Sequence, residues 1–195
     1  MTRGAEDLRR LSLAEWAVLA VLCERDTHGW MLVRVLDQDG ELGAVWTVRR
    51  ALVYRSLEAL EHRALITRAG SEASSRGPER TIFTPTRAGR AAVRRWLGEP
   101  VVHVRDLRSE LLLKLVLGGR AGADQRAMLE RQRALLEEIE EPLAVRCAQT
   151  DGADRMLLAF RLETTRAALR FVEGEIAHEG RPTGGGDGLR RGMAD

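Results

Sequence analysis

The chain has 195 residues, 44% hydrophobic and 31% charged, with a net charge of +2. That is long enough for one large domain or two small ones, apolar enough for real cores, and too nearly neutral to bind nucleic acid over its whole surface. The charge is unevenly spread: residues 47–95 hold eleven arginines against four acids, a local balance of +7 that leaves −5 for the remainder. One segment is thereby marked for an anionic partner. The polar start, Met1 to Arg10, lacks the apolar core of a signal peptide. No apolar run approaches the ~20 residues that span a bilayer, so the expectation is a cytoplasmic protein with no membrane partner. Cys23 and Cys147 lie far apart in apolar helical patterns, without metal or redox spacing. His28, His62, His103 and His178 are scattered with no second ligand one helical turn away, which argues against a metal. The glycine patterns of P-loops, Rossmann turns and nucleophile elbows are missing. The expectation is no cofactor and no enzyme.

In chain order, Ser12 and Glu15 form the spacing of a capping box. Leu13, Trp16, Ala17, Leu19, Ala20 and Cys23 then give an apolar helix ending near Asp26. Thr27 is placed to cap a short second helix over His28 to Leu36, with His28 capping or packing at its start, and Asp37 to Gly43 reads as a loop. A third helix follows in the run from Trp46 to Ile66. Its Val53, Leu57 and Leu60 share one face, while Arg49, Arg50, Tyr54 and Arg55 cluster off that face near its first turns. Leu65 to Arg68 and Thr81 to Thr84 read as strands, joined by a long polar tip from Ala69 to Arg80. Thr86 then opens a fourth helix that Gly98 and Pro100 stop. Three helices, a hairpin and a further helix make the winged helix-turn-helix layout.

The second half changes character. Leu107 to Leu117 reads as a helix broken by Gly118, Gly119 and Gly122. Ala123 to Gln149 reads as a long helix with Leu129, Leu136 and Leu143 on a coiled-coil-like seam, kinked or cut short at Pro142. Asp151-Gly152 is a turn, and Arg155 to Ala177 is the last helix, striped by Leu158, Leu162, Thr165, Leu169, Val172 and Ile176. Such stripes ask for another copy of the chain, and a two-fold dimer would set two winged domains on the halves of a pseudopalindrome. The expected fold is therefore mainly α with a small β-hairpin. It comprises a winged helix-turn-helix DNA-binding domain over 8–98, a helical dimerisation domain over 103–179 with Leu158, Leu162, Leu169 and Val172 at the dimer interface, and a disordered tail over 180–195.

Taken together, Leu13 to Leu22, the opening His28-Gly29-Trp30, Val53 to Glu61, Arg76 to Arg80, Phe83 to Arg90 and Arg108 to Leu115 resemble the PadR family of transcriptional regulators over about residues 11–178. The resemblance implies a dimeric DNA-binding protein, usually a repressor, released in some members by a small molecule such as a phenolic acid or a drug. This chain departs from members with an aromatic drug pocket, because it has no tryptophan after Trp96.

On this reading double-stranded DNA, carrying a pseudopalindromic operator, is the partner. Arg49 and Arg50 approach it at the helix N-terminus, and Arg55, nearly opposite Val53, meets a base edge. Thr47 caps the helix, Tyr54 matches the family's tyrosine and holds a phosphate, and Arg76 and Arg80 follow the backbone from the wing. The alternative is a winged-helix adaptor that binds a protein partner, against which the surplus arginine counts.

Overall fold

A computed structural model describes residues 11–72 and 79–179. The chain divides into two compact units, Met1–Met128 and Leu129–Asp195.

In the first unit α1 (Leu13–Glu24) begins with the capping box read from the sequence. The Glu15 backbone N–H donates to Ser12 Oγ, and the Ser12 N–H donates to the Glu15 carboxylate at 2.6 Å. The same carboxylate accepts from Arg63 at 2.7 Å, which ties the start of α1 to the end of the third helix. Almost every side of α1 is buried, from Ala14 to Leu22, so it is the axis of the unit's core. Its Trp16 stacks face to face on Trp96, with ring centroids 5.1 Å apart.

Thr27 does not cap the next helix. Thr27 and His28 form a short strand, β1, and it is His28 that caps α2 (Gly29–Leu36), its Nδ1 accepting from the Met31 N–H at 3.2 Å. Two residues carry no period, so this strand shows itself through its partner alone. α3 (Arg50–His62) is preceded by turns over 38–45, pinned where Val48 donates to the Leu36 carbonyl at 2.8 Å. The wing strands, β2 (Ile66–Glu72) and β3 (Arg80–Pro85), are longer than their apolar cores suggest, because the ladder carries polar residues past Arg68 across a bulge before Gly70. With β1 they make a three-stranded antiparallel sheet in the order β1-β3-β2.

Thr86 caps α4 (Arg87–Gly98) as expected, its hydroxyl accepting from the Gly89 N–H at 3.1 Å and donating to the Ala64 carbonyl at 2.9 Å. Gly89 is required there: a Cβ would lie 2.2 Å from the Leu65 carbonyl oxygen. A 3₁₀ turn (Val104–Asp106) and a π turn (Leu107–Leu111) lead into α5 (Leu112–Arg120). Gly118 and Gly119 stay inside α5, which ends at Arg120, just before Gly122 with its φ of +64°, where Ala121 and Ala123 donate to the Leu117 and Gly118 carbonyls. Lys114 pairs with Glu110 at 3.0 Å, as its spacing implies, and is also 2% exposed, donating to the Glu99 carbonyl at 2.8 Å and lying 5.2 Å from the Trp96 ring centroid. Arg120 closes the unit through Glu24 at 2.6 Å and Glu41 at 2.9 Å. The first compact unit therefore contains Leu107–Arg120, which the sequence groups with the later helices.

α6 (Arg126–Ala148) and α7 (Gly152–Glu179) follow. α6 runs through Pro142, whose ring removes one hydrogen bond without ending the helix; Leu136 and Leu143 stay buried on either side. α7 starts at Gly152, three residues before the Arg155 expected from the sequence, and the φ of +66° at Gly152 suits the turn. Leu143 packs with Leu158 and Leu162, and Arg166 reaches Glu140 at 2.8 Å. Leu158, Leu162, Leu169 and Val172 are thus already buried within this chain, at 6–8% exposure for the leucines and 0% for Val172, and do not form a free face. The exposed apolar side chains of α7 are Met156, Leu157, Phe160 and Phe171. The tail over 180–195 lies outside the described residues.

Candidate nucleic-acid interface

α3 is built from two opposed sets of side chains. Val53, Ser56, Leu57 and Leu60 are buried in the core of the first unit. Arg49, Arg50, Leu52, Tyr54 and Arg55 are exposed around its first turns. The helix opens at Arg49, which is the N-cap residue in extended conformation without a side-chain cap bond. Thr47 is therefore not the cap; its hydroxyl lies back toward the preceding turn, 3.4 Å from the Gly43 carbonyl to which it donates. The uncapped first turn leaves backbone N–H groups facing solvent, where the helix dipole favours an anion.

The arginines of residues 47–95 divide by what they touch. Arg63 is bound to Glu15, Arg68 to Glu61 through two hydrogen bonds of 2.8 and 3.1 Å, and Arg90 to the Cys23 carbonyl and, at 4.0 Å, Asp26. The hydrogen bond to Glu61, with its charge, holds the Arg68 guanidinium above its ordinary pKa. Arg49, Arg50 and Arg55 form no ion pair among the described residues. Arg50 lies over the Tyr54 ring, 5.7 Å from its centroid. Arg80 and the exposed Arg87, Arg94 and Arg95 of α4 likewise form no ion pair among the described residues, so the spare positive charge of the segment lies on the outer side of α3, at the foot of the wing and on α4.

Tyr54 is 38% exposed, with its ring edge against α2: a Cβ on Gly29 would lie 2.7 Å from Tyr54 Cε1. The glycine of His28-Gly29-Trp30 is thereby explained, since it lets α2 and α3 approach at this point. Between α2, α3 and β3 lies a cleft of about 470 Å³ whose lining includes Trp30, Arg50, Tyr54, Glu58, Arg80 and Phe83. Arg80 is half-buried at the start of β3, 5.1 Å from the centroid of the Trp30 ring, and Arg34 of α2 is at the same distance. Arg76 lies outside the described residues. In the sequence Trp30 shows only as the aromatic one position after His28-Gly29, and Arg34 shows no signal at all; the sheet pairing of His28 with Ile82 brings Trp30 beside the wing.

A second, open cleft of about 430 Å³ lies on the same unit, lined by Trp16, Trp96, Arg95, His103, Glu110 and Lys114 among others. Among the described residues there is no cluster of acids, cysteines and histidines fit for a metal ion, and no helix is long and apolar enough to cross a membrane.

Residues 18–95 match the family model described as "Transcriptional regulator PadR-like family". The probable transcriptional regulator Rv1176c of Mycobacterium tuberculosis is 30% identical over 96 residues, which are 49% of this chain and 49% of that protein. The chain thus spans about half the length of the curated relative it matches. Among solved structures, Bacillus subtilis PadR in complex with operator DNA is 17% identical with a TM-score of 0.43, covering 84% of this chain and 96% of that one. The same protein in complex with p-coumaric acid is 16% identical with a TM-score of 0.40, covering 86% and 98%. The protein smu.1604c of Streptococcus mutans is 16% identical with a TM-score of 0.40, covering 84% and 98%.

Proposed function

We propose that this protein, whose residues 18–95 match the PadR-like family of transcriptional regulators, is a homodimeric repressor that binds a pseudopalindromic operator through α3. One observation carries the reading: Arg49, Arg50 and Arg55 are exposed and unpaired among the described residues, on a helix whose other face is locked in the core. A rigid helix that presents arginine forks near its N-terminus fits the major groove, where a bidentate arginine reads guanine. Arg55 is assigned to a base edge. Arg49, Arg50, Thr47 and the Tyr54 hydroxyl are assigned to phosphates, and Arg76 and Arg80 to the backbone beside the wing.

The dimer contact is assigned to the outer side of α7, at Met156, Leu157, Phe160 and Phe171, because the chain already buries Leu158, Leu162, Leu169 and Val172. Release by a small-molecule effector belongs to the same reading. Its seat is assigned to the cleft beside Trp16 and Trp96, whose lining also holds Arg95, Glu99, Asp106 and Glu110.

Selection of bound fragments from random DNA, followed by mobility shifts, tests the proposal. A palindromic site is expected, with binding that weakens as salt rises by about 0.9 log unit per phosphate contact for each tenfold step. Replacing Arg49, Arg50 and Arg55 together by alanine should abolish binding while light scattering still reports a dimer. Unchanged affinity would remove α3 from the interface. Phe160→Glu should give monomers, and a dimer that survives it would move the contact elsewhere.

A further inference from the structure

We propose that Trp30 is a positioning residue for the wing, a platform on which Arg34 and Arg80 are held ready for backbone phosphates. The inference rests on the DNA reading above, but concerns a residue outside the recognition helix.

Three elements converge on the start of α2. His28 caps it and pairs with Ile82 of β3, while Gly29 presses against Tyr54 and Leu57 of α3. The backbone on the N-terminal side of Trp30 is therefore fixed to both the wing strand and the recognition helix. Its indole remains 42% exposed, and the groups that share its surface are positive: the guanidinium carbons of Arg34 and Arg80 both lie 5.1 Å from the ring centroid.

Neither arginine makes an ion pair among the described residues. Of the three acids that line the same cleft, Glu61 is engaged by Arg68 and Glu79 by the Ser71 hydroxyl, while Glu58 pairs with neither Arg34 nor Arg80. A guanidinium that uses its flat face on an aromatic ring keeps its N–H donors, which lie in the plane, free for oxygen atoms. A salt bridge would have spent those donors; the indole orients the group and leaves them available. Arg80 stands at the foot of the wing, and Arg34 is one helical turn beyond Trp30 on the exposed side of α2. Two phosphate contacts on the wing side of α3 are thus set by one tryptophan. Ordering two long side chains in advance removes part of the entropy that binding would otherwise cost.

The test is operator affinity and its salt dependence for Trp30→Leu, Trp30→Phe, the pair Arg34→Ala/Arg80→Ala, and the triple variant with Trp30→Leu. Leucine preserves apolar packing without a π face, and thermal unfolding of each variant reports the fold. Trp30→Leu should weaken binding about tenfold, on the order of the cost of ordering two long side chains at the moment of binding. The slope of log affinity against log salt should stay near that of the wild type, because both charges remain. Trp30→Phe should recover most of the loss. In the Arg34→Ala/Arg80→Ala background, whose salt slope is itself flatter by about 1.8 for two lost phosphates, Trp30→Leu should change nothing further. Wild-type affinity in Trp30→Leu, or the same tenfold loss in the background lacking both arginines, overturns the proposal and leaves the role of α3 intact. A wild-type protein that selects no DNA overturns the function itself, with this inference.

Discussion

Lys114 is buried to 2% exposure, with its ammonium 3.0 Å from Glu110, 2.8 Å from the Glu99 carbonyl and 5.2 Å from the Trp96 ring centroid. Glu110 also accepts from Trp96 Nε1 at 3.1 Å, so one carboxylate holds both the lysine and the tryptophan stack. Burial lowers the lysine's pKa, and Glu110, in charge and hydrogen bond, pulls it back up. The two ways of breaking this pair are therefore unequal. Glu110→Gln keeps the shape and leaves a buried ammonium without its counter-charge. Breaking a fully buried pair costs about 3–5 kcal/mol; with the Glu110 side chain 30% exposed to water, the expectation here is about 2 kcal/mol. Lys114→Met removes the ammonium, fills most of its space, and leaves Glu110 the Trp96 N–H and water, for about 1 kcal/mol or less. At about 3 °C of melting temperature per kcal/mol, the shifts are about 6 °C and under about 3 °C.

Near-UV circular dichroism, to which the Trp16–Trp96 stack contributes, follows this unit through the melt. Between the lowered pKa of the folded state and the ordinary 10.5, the unfolded chain holds the extra proton, so wild-type stability rises with pH across that window. Lys114→Met should lose this rise, and Glu110→Gln should start it at lower pH. A methionine variant as destabilised as the glutamine variant would refute the reasoning.

Three further outcomes follow from local geometry. Gly89→Ala sets a methyl 2.2 Å from the Leu65 carbonyl oxygen, between backbone segments that cannot yield cheaply, so a loss of about 3 kcal/mol or failure to fold is expected in urea titration. A loss under about 1 kcal/mol would mean that α4 shifts freely. Glu15→Ala removes the capping box together with the Arg63 pair, for about 2 kcal/mol in the same titration; Arg63→Ala should cost less, because it leaves the box intact. Burial pushes the Cys23 thiol up to about 11, against partial relief from Arg90 and Arg94. Alkylation of Cys23 by iodoacetamide at pH 8 should therefore be about a hundredfold slower than that of an unperturbed thiol. Because the unfolded thiol ionises first, this group's contribution to stability falls as pH rises above 9, opposite in sign to that of Lys114. Alkylation at the rate of a free thiol would show Cys23 to be accessible.

Local chemistry was readable directly. The Ser12–Glu15 box, the Thr86 cap, the buried line of Val53, Leu57 and Leu60, and the Glu110–Lys114 pair each depend on residues within one or two helical turns, where spacing fixes geometry. Where the sequence went astray, a distant partner decided. β1 exists because β3 offers it a ladder, and Pro142 and Gly118 stay inside helices because packing and later N–H groups outweigh their local preference.

The same division holds for the interface. A surplus of arginine in residues 47–95 is a property of the chain, and so is its concentration near the start of α3. Which arginines are spare is a property of the fold: Arg63 and Arg68 are consumed by acids, while Arg49, Arg50 and Arg55 are not. Likewise the stripe of Leu158 and Leu162 reads as a surface seeking a partner, until Leu143 of the preceding helix is found against it. Periodicity determines that a face must be covered. Only the tertiary structure decides what covers it, because burial depends on every other segment that can reach the same place.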